Sequence, residues 1–267
     1  MFITIEDLQF HVEIKGEGPP LIGFHGFAEN SSTWEALELT GWQLILPDLT
    51  GHGLSAKPDR LKPYTLPIML NHLHQLIHRL GYSKYFLLGY SLGGRLALAY
   101  ALTYPEEVQG LILESSSYGI EDENERKKRR RQDLELAKEI RDKGVEWFEG
   151  YWSSLPLFTT QTRLPMEIRA KIRERRLGNV PHALANTLLG VGHGIYPCFK
   201  EQVPRLTLPT LYIHGEEDEK YQNIGQQLQK LNPQIQKAVV PGAGHNTHLE
   251  KPEIFTGLVQ AFLDKHI

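Results

Sequence analysis

Short apolar runs separated by polar, glycine- or proline-bearing turns fill both ends of the chain, and a charged, helix-like stretch fills the middle. Residues 2–5 and 8–14 alternate weakly across Glu6-Asp7, which predicts a hairpin at a sheet edge. Pro20 to His25 reads as a buried strand leading into a loop. Ser31-Ser32-Thr33 predicts the cap of a short helix through Leu39. Trp42 to Leu46 is a further strand, Thr65 to Leu80 a helix stopped by Gly81, and Tyr85 to Leu88 a strand. Leu92 to Leu102, rich in Ala and Leu, is a helix, and Val108 to Leu113 a strand. From about Gly119 to Lys200 no strand pattern occurs; helical segments are broken at Pro156, Pro165, Pro181 and Pro197. Alternation resumes with a strand at Leu208 to His214, a helix at about Tyr221 to Leu231, a strand at Gln236 to Val240 and a helix at Pro252 to Lys265. Strands alternating with helices predict an α/β fold with a mostly parallel sheet and right-handed crossovers. The break predicts a core of residues 1–118 and 201–267 with a helical cap, 119–200, inserted after a central strand.

Composition narrows the class. Hydrophobic content of 40% and charged content of 23% are ordinary for a soluble globular protein. A net charge of -3 argues against nucleic-acid binding. The single cysteine, Cys198, excludes an internal disulfide and a cysteine-based zinc site. No apolar run approaches the roughly 20 residues of a membrane span. The N-terminus has neither a basic nor an apolar signal region, so a cytoplasmic protein is expected. Ten of the fourteen arginines fall in the cap. Within it, Lys127-Lys128-Arg129-Arg130-Arg131 is flanked by Glu121-Asp122-Glu123-Asn124-Glu125, which marks a solvated helix face. Arg129 is spaced to pair with Asp133 at i+4. His74 and His78 also share a helix face, but no third ligand accompanies them in sequence, so no metal is expected.

The chemistry centres on Gly89-Tyr90-Ser91-Leu92-Gly93-Gly94-Arg95. Gly-x-Ser-x-Gly between a buried strand and an Ala-rich helix is the context of a nucleophile elbow, which lifts the serine Oγ out at the sheet's carboxyl edge. The N–H of Leu92, at the helix start, then points where an oxyanion would form, and that of Phe27 in His25-Gly26-Phe27 is the candidate second donor. Ser91 needs a base and the base an orienting acid. His245, in the loop after the last strand, and Asp218, after the preceding strand, reach the same edge; Glu216 and Glu217 remain alternatives for the acid. Arg95 lies one turn after Ser91 among apolar neighbours, and a buried arginine requires an anionic partner from protein or substrate.

Together with Asp48-Leu49-Thr50-Gly51-His52-Gly53-Leu54-Ser55 and Gly244-His245-Asn246-Thr247-His248-Leu249-Glu250, these segments resemble the α/β-hydrolase fold. Arg95 and three cap stretches carry a closer resemblance. The stretches are Glu125-Arg126-x-x-Arg129-x-x-x-Asp133, Tyr151-Trp152-x-x-x-Pro156-Leu157-Phe158, and Arg175-Arg176-Leu177 leading to Gly190-x-Gly192-x-Gly194. The chain resembles the 2-succinyl-6-hydroxy-2,4-cyclohexadiene-1-carboxylate synthase family of menaquinone and phylloquinone biosynthesis. That resemblance implies a lyase that expels pyruvate from a tricarboxylate, with no cofactor and no acyl-enzyme. Ser91, activated by His245 and Asp218, would take the ring proton. Carboxylate-binding arginines map by position onto Arg95, Arg129 and Arg176, and pocket aromatics onto Tyr90 and Trp152. His25 joins the substrate-binding set. Thr50 stands where proline is usual, and Tyr196 where glutamine or another residue is common. An esterase or carbon–carbon hydrolase for an anionic substrate is the alternative on the same triad, and a non-catalytic ligand-binding protein the second.

Overall fold

A computed structural model describes residues 1–267. One sheet of eight strands runs through the molecule: β1 (Phe2–Ile5), β2 (Leu8–Lys15), β3 (Pro20–Phe24), β4 (Gln43–Pro47), β5 (Tyr85–Tyr90), β6 (Val108–Glu114), β7 (Thr210–Gly215) and β8 (Gln236–Val240). Their order is β1-β2-β4-β3-β5-β6-β7-β8. β1 and β2 form the expected antiparallel hairpin, β2 pairs antiparallel with β4, and every other pair is parallel. The period-two alternation of strand side chains divides the core. Ile22, Ile45, Tyr85, Leu87, Leu111, Leu113 and Tyr212 face one layer, packed under α1 (Leu66–Arg79), α2 (Leu92–Thr103) and Leu228 of α6 (Glu219–Leu231). Leu21, Leu44, Leu46, Phe86, Leu88, Ile112, Leu211 and Ile213 face the other, against Trp34 and α8 (Pro252–Lys265). Covered on both faces, these strands are continuously apolar, as parallel strands are.

Between β6 and β7 the chain leaves the sheet. α3 (Glu123–Ser153), α4 (Met166–Leu177) and α5 (Pro181–Val191), with a 3₁₀ stretch at Pro156–Arg163, form the cap. The N–H of Phe199 donates to Tyr118 O at 2.7 Å, so the insertion leaves and rejoins the core at one point. α3 is two helices bent at Gly144, whose φ of 84° and ψ of -178° only glycine adopts without strain. Arg130, Arg131, Lys127 and Lys128 are solvent-exposed, as their acidic flank implied, and Lys127 pairs with Glu123. A third apolar cluster joins Ala28 of the core to Ala137, Ile140, Phe148, Leu184, Ala185 and Leu188 of the cap.

One element differs from expectation. Ser31–Trp34 is a single 3₁₀ turn rather than a helix through Leu39, and its cap is Asn30, whose side chain accepts from Ser32 N at 3.0 Å. The Ser31 N–H is instead taken by Asp48 Oδ1 at 2.7 Å, which ties the turn to the end of β4. A second local element, α7 (Thr247–Glu250), is one turn capped by Asn246 and has no periodicity by which it would be read.

Candidate active site

β5 is flanked by β3 and β6 at the middle of the sheet, and the chain reverses at its carboxyl end into α2. Ser91, at that reversal, has φ 52° and ψ -107°, a strained conformation for a residue with a Cβ. The turn closes because Gly93 has no side chain: a Cβ there would lie 2.1 Å from Phe24 O. Ser91 N–H donates to Glu114 O at 2.9 Å and Ser116 Oγ–H to Ser91 O at 3.0 Å, so β6 and its following loop hold the strained turn.

Ser91 Oγ lies 3.1 Å from His245 Nε2, and His245 Nδ1 lies 2.7 Å from Asp218 Oδ2. With Nδ1–H donating to the carboxylate, Nε2 is left to accept the serine proton. Asp218 is also the helix cap of α6, its Oδ1 accepting from Tyr221 N at 3.3 Å. The same carboxylate is thus anchored by the helix and orients the histidine. Glu216 and Glu217 are excluded as the acid: Glu216 accepts from Gly242 N, and Glu217 pairs with Arg163 on the surface.

The loop carrying His245 is fixed by a buried network that nothing in the sequence singles out. Glu114, at the end of β6, accepts from Thr247 Oγ1 at 2.7 Å, His248 N at 3.0 Å and His248 Nδ1 at 2.7 Å. His248 Nε2 in turn meets Thr33 Oγ1 at 2.7 Å. Asp218, His245, Glu114 and His248 are all buried.

The triad opens into a cavity of about 400 Å³ between core and cap, lined by Phe27, Tyr90, Ser91, Leu92, Arg95, Arg129, Trp152, Phe158 and His245 among others. Leu92 is the first residue of α2, so its N–H has no carbonyl four residues back within the helix. Phe27 N–H has no protein acceptor either, and both backbone donors stand at the cavity wall as an oxyanion site requires. Phe27, Trp152 and Phe158 form an aromatic wall backed by Phe148, with Trp152 5.2 Å from Phe27 and 5.8 Å from Phe158 between centroids.

The cationic side is uneven. Arg95 is buried and makes one hydrogen bond, Nη1–H to Val191 O at 2.8 Å, with no protein carboxylate as partner. It lies 4.9 Å above the Tyr196 ring, and Tyr196 O–H donates to Arg95 O at 2.6 Å, so Tyr196 is a platform for that arginine. Burial pushes the Arg95 guanidinium down to about 10. Of Arg126, Arg129, Arg130 and Arg131, only Arg129 lines the cavity. Its Nε–H donates to Asp133 Oδ1 at 2.7 Å, and Asp133 Oδ2 accepts from Gly194 N at 2.9 Å, so the predicted i+4 pair fixes the arginine from α5's following turn.

Two residues expected at the substrate stand outside the cavity lining. His25 does not line the cavity; it is fully buried, with Nδ1 against Gly26 O at 2.8 Å and Nε2 accepting from Leu49 N at 3.0 Å. Both ring nitrogens are engaged, Nε2 joining the loop to that of Leu49, and burial lowers its affinity for a proton. Arg176 also stands outside the lining. It donates to Ser153 Oγ at 2.7 Å and Gln161 Oε1 at 3.1 Å and stacks 4.8 Å from the Phe158 ring, so it braces the aromatic wall from behind. Sequence reasoning missed Lys220, Tyr221, His193 and Glu29, which all line the cavity. Lys220 is an exposed residue, yet burial of its amine and the charge of Arg129 lower its affinity for a proton; the amine lies 5.2 Å from the Tyr221 centroid, with no carboxylate ion-pair partner. Its place two residues after the triad acid was the available signal.

The α/β-hydrolase fold family profile matches residues 19–252. A Bacillus subtilis (strain 168) protein provisionally named 2-succinyl-6-hydroxy-2,4-cyclohexadiene-1-carboxylate synthase is 38% identical over 98% of this chain and 97% of its own. The chain belongs to that synthase family. The similarity spans cap and core alike. A Serratia proteamaculans (strain 568) synthase of the same name is 28% identical over 93% of this chain and 94% of its own. The structure of MenH from S. aureus superposes with a TM-score of 0.90 at 32% identity, covering 96% of this chain and 98% of that one. Family membership makes this an enzyme of the lyase class built on a hydrolase scaffold. No helix is long and apolar enough to cross a membrane.

Proposed function

We propose that the protein eliminates pyruvate from 2-succinyl-5-enolpyruvyl-6-hydroxy-3-cyclohexene-1-carboxylate, giving 2-succinyl-6-hydroxy-2,4-cyclohexadiene-1-carboxylate for menaquinone or phylloquinone synthesis. The observation that carries the reading is an intact Ser91-His245-Asp218 relay opening into a cavity that holds a buried arginine, Arg95, without a protein counter-ion. A neutral ester would leave that charge unpaired, whereas a carboxylate of the substrate pairs it.

The reaction follows from the donor set. Ser91 Oγ–H passes its proton to His245 Nε2, and Ser91 Oγ removes the ring proton beside the succinyl ketone. Negative charge then develops on the ketone oxygen, where the N–H groups of Phe27 and Leu92 receive it. The electron pair moves through the ring alkene and breaks the carbon–oxygen bond to the enolpyruvyl group, which leaves as enolpyruvate, takes the proton held on His245 Nε2 and tautomerises to pyruvate. No acyl-enzyme forms. Arg95 and Arg129 hold carboxylates with charge-assisted hydrogen bonds, with Lys220 at the rim. Tyr90 and Trp152 bound the ring.

Pyruvate release from this substrate, followed with a lactate dehydrogenase couple beside a short-chain aryl ester, tests the proposal. Fast pyruvate release with little ester cleavage is expected. Ser91→Ala and His245→Ala should each lose most of kcat, by about a hundredfold or more. Ester cleavage without pyruvate release overturns the substrate and leaves the hydrolase alternative.

A further inference from the structure

A second constellation lies away from the cavity, on the surface of α1. His74 and His78, one helical turn apart, both place Nε2 on the same oxygen of Glu107, at 2.9 and 3.0 Å. Glu107 comes from the turn between α2 and β6, so the third ligand missing from the local sequence is supplied by a distant segment. The three ligand atoms lie within 4.8 Å of one another. Tetrahedral zinc with bonds of about 2.0–2.1 Å separates its donor atoms by about 3.4 Å. The two nitrogen–oxygen separations therefore need to open by only ~0.4 Å. The nitrogen–nitrogen separation needs to close by at most about 1.4 Å, within the reach of small side-chain rotations.

The surroundings hold these groups in place. Glu107 Oε2 accepts from Tyr85 O–H at 2.5 Å, and Tyr85 is bonded to Tyr100 O–H at 2.7 Å, both tyrosines being buried. The His74 ring stacks on Tyr104, with centroids 4.1 Å apart and planes at 12°. Such outer partners fix ligand orientation at metal centres. Neither imidazole uses Nδ1 in a protein hydrogen bond, so each ring is free to carry its proton there and offer Nε2 as a lone pair. His78 is 44% exposed and His74 27%, which gives an ion an open approach and leaves a fourth position to water.

We propose that His74, His78 and Glu107 form a binding site for a zinc-class divalent metal, which clasps α1 to the α2–β6 turn. Two imidazoles and one carboxylate suit zinc, nickel or copper rather than magnesium or calcium, which prefer oxygen ligands. None of the three residues lines the catalytic cavity, so the metal is a stabiliser and not a participant in the reaction.

Calorimetric titration of the metal-free full chain with zinc chloride, paired with thermal melts, tests this. One zinc per chain is expected, with a melting temperature that rises with zinc concentration as binding to the folded state alone requires. His74→Asn and His78→Asn should each weaken the site by at least about tenfold while keeping the wild-type far-ultraviolet circular dichroism. His245→Asn, which removes the catalytic imidazole, should leave the site intact. Absence of saturable binding up to about 0.1 mM zinc, or one-site binding that survives in both surface variants, overturns the proposal.

Discussion

Arg95 and Lys220 are both cations without a carboxylate partner, yet their settings assign them different weights. Arg95 is buried, so a charge-assisted contact to substrate there is worth about 1.5–3 kcal/mol. Arg95→Met should lower kcat/KM for pyruvate release by roughly ten- to a hundredfold. Lys220 is an exposed residue, and ion pairs of exposed side chains are worth about 0.2–1 kcal/mol. Lys220→Met should therefore cost no more than about fivefold, chiefly in KM, and the loss should shrink as salt is added. Steady-state kinetics at two ionic strengths checks both, and a Lys220 effect equal to that of Arg95 would contradict this ranking. Ser91 and His245 were legible, because each stands in a loop after a readable strand; the Glu216-Glu217-Asp218 segment was too, but not which of its carboxylates is the acid. That His25 and Arg176 stand outside the cavity lining was not. Their residue types suit a substrate site, but whether a side chain faces a cavity or a neighbouring loop depends on packing from distant segments.

At the scale of elements, the cap is held by polar contacts as well as by its apolar cluster. Glu29, in the loop after β3, accepts from Arg175 Nε of α4 at 3.0 Å, and both side chains are buried. Burial alone would raise the Glu29 carboxyl, but Arg175 and Arg176 outweigh it and hold the carboxyl below its ordinary value. Beside this pair, Asn179 Nδ2–H donates to Ala28 O at 3.0 Å. The contacts converge on the loop that carries the Phe27 N–H, so cap docking and oxyanion geometry are linked. Removing one partner strands a buried charge. Arg175→Met should cost about 3–5 kcal/mol in denaturant unfolding. The double variant Glu29→Gln/Arg175→Met should recover most of that loss. An additive double variant would show that the two groups do not act as a pair. The composition shift made the cap readable as an insertion, whereas its docking contacts, between residues 146 positions apart, were not.

Across the whole molecule, several histidines are buried under the sheet's carboxyl edge and kept neutral. Burial pushes His52 down to about 3, with His25 beside it adding repulsion, and lowers His25 and His193 as well. In the unfolded chain these imidazoles take up protons below about pH 6.5. Between that value and the folded pKa of His52, the unfolded state binds more protons than the folded state, so stability falls as pH falls. The contribution is fully present above about pH 6.5 and is lost progressively toward pH 3. Melting temperature should thus decline from pH 7 to pH 4 by more than a variant lacking the imidazole, His52→Gln, declines from its own starting value. Parallel declines in the two proteins would exclude His52 as a source of the acid sensitivity.

The amino-acid sequence alone determined the strand and helix alternation, the strand–serine–helix turn, the inserted cap and the family. These rest on local periodicity and on residues adjacent in the chain. Only the tertiary structure decided which cap arginine reaches the cavity, which acid orients His245, and that Glu114 anchors the histidine loop. It also brought Glu107 to His74 and His78. These are contacts between segments far apart in sequence, and their partners are selected by close packing rather than by local pattern.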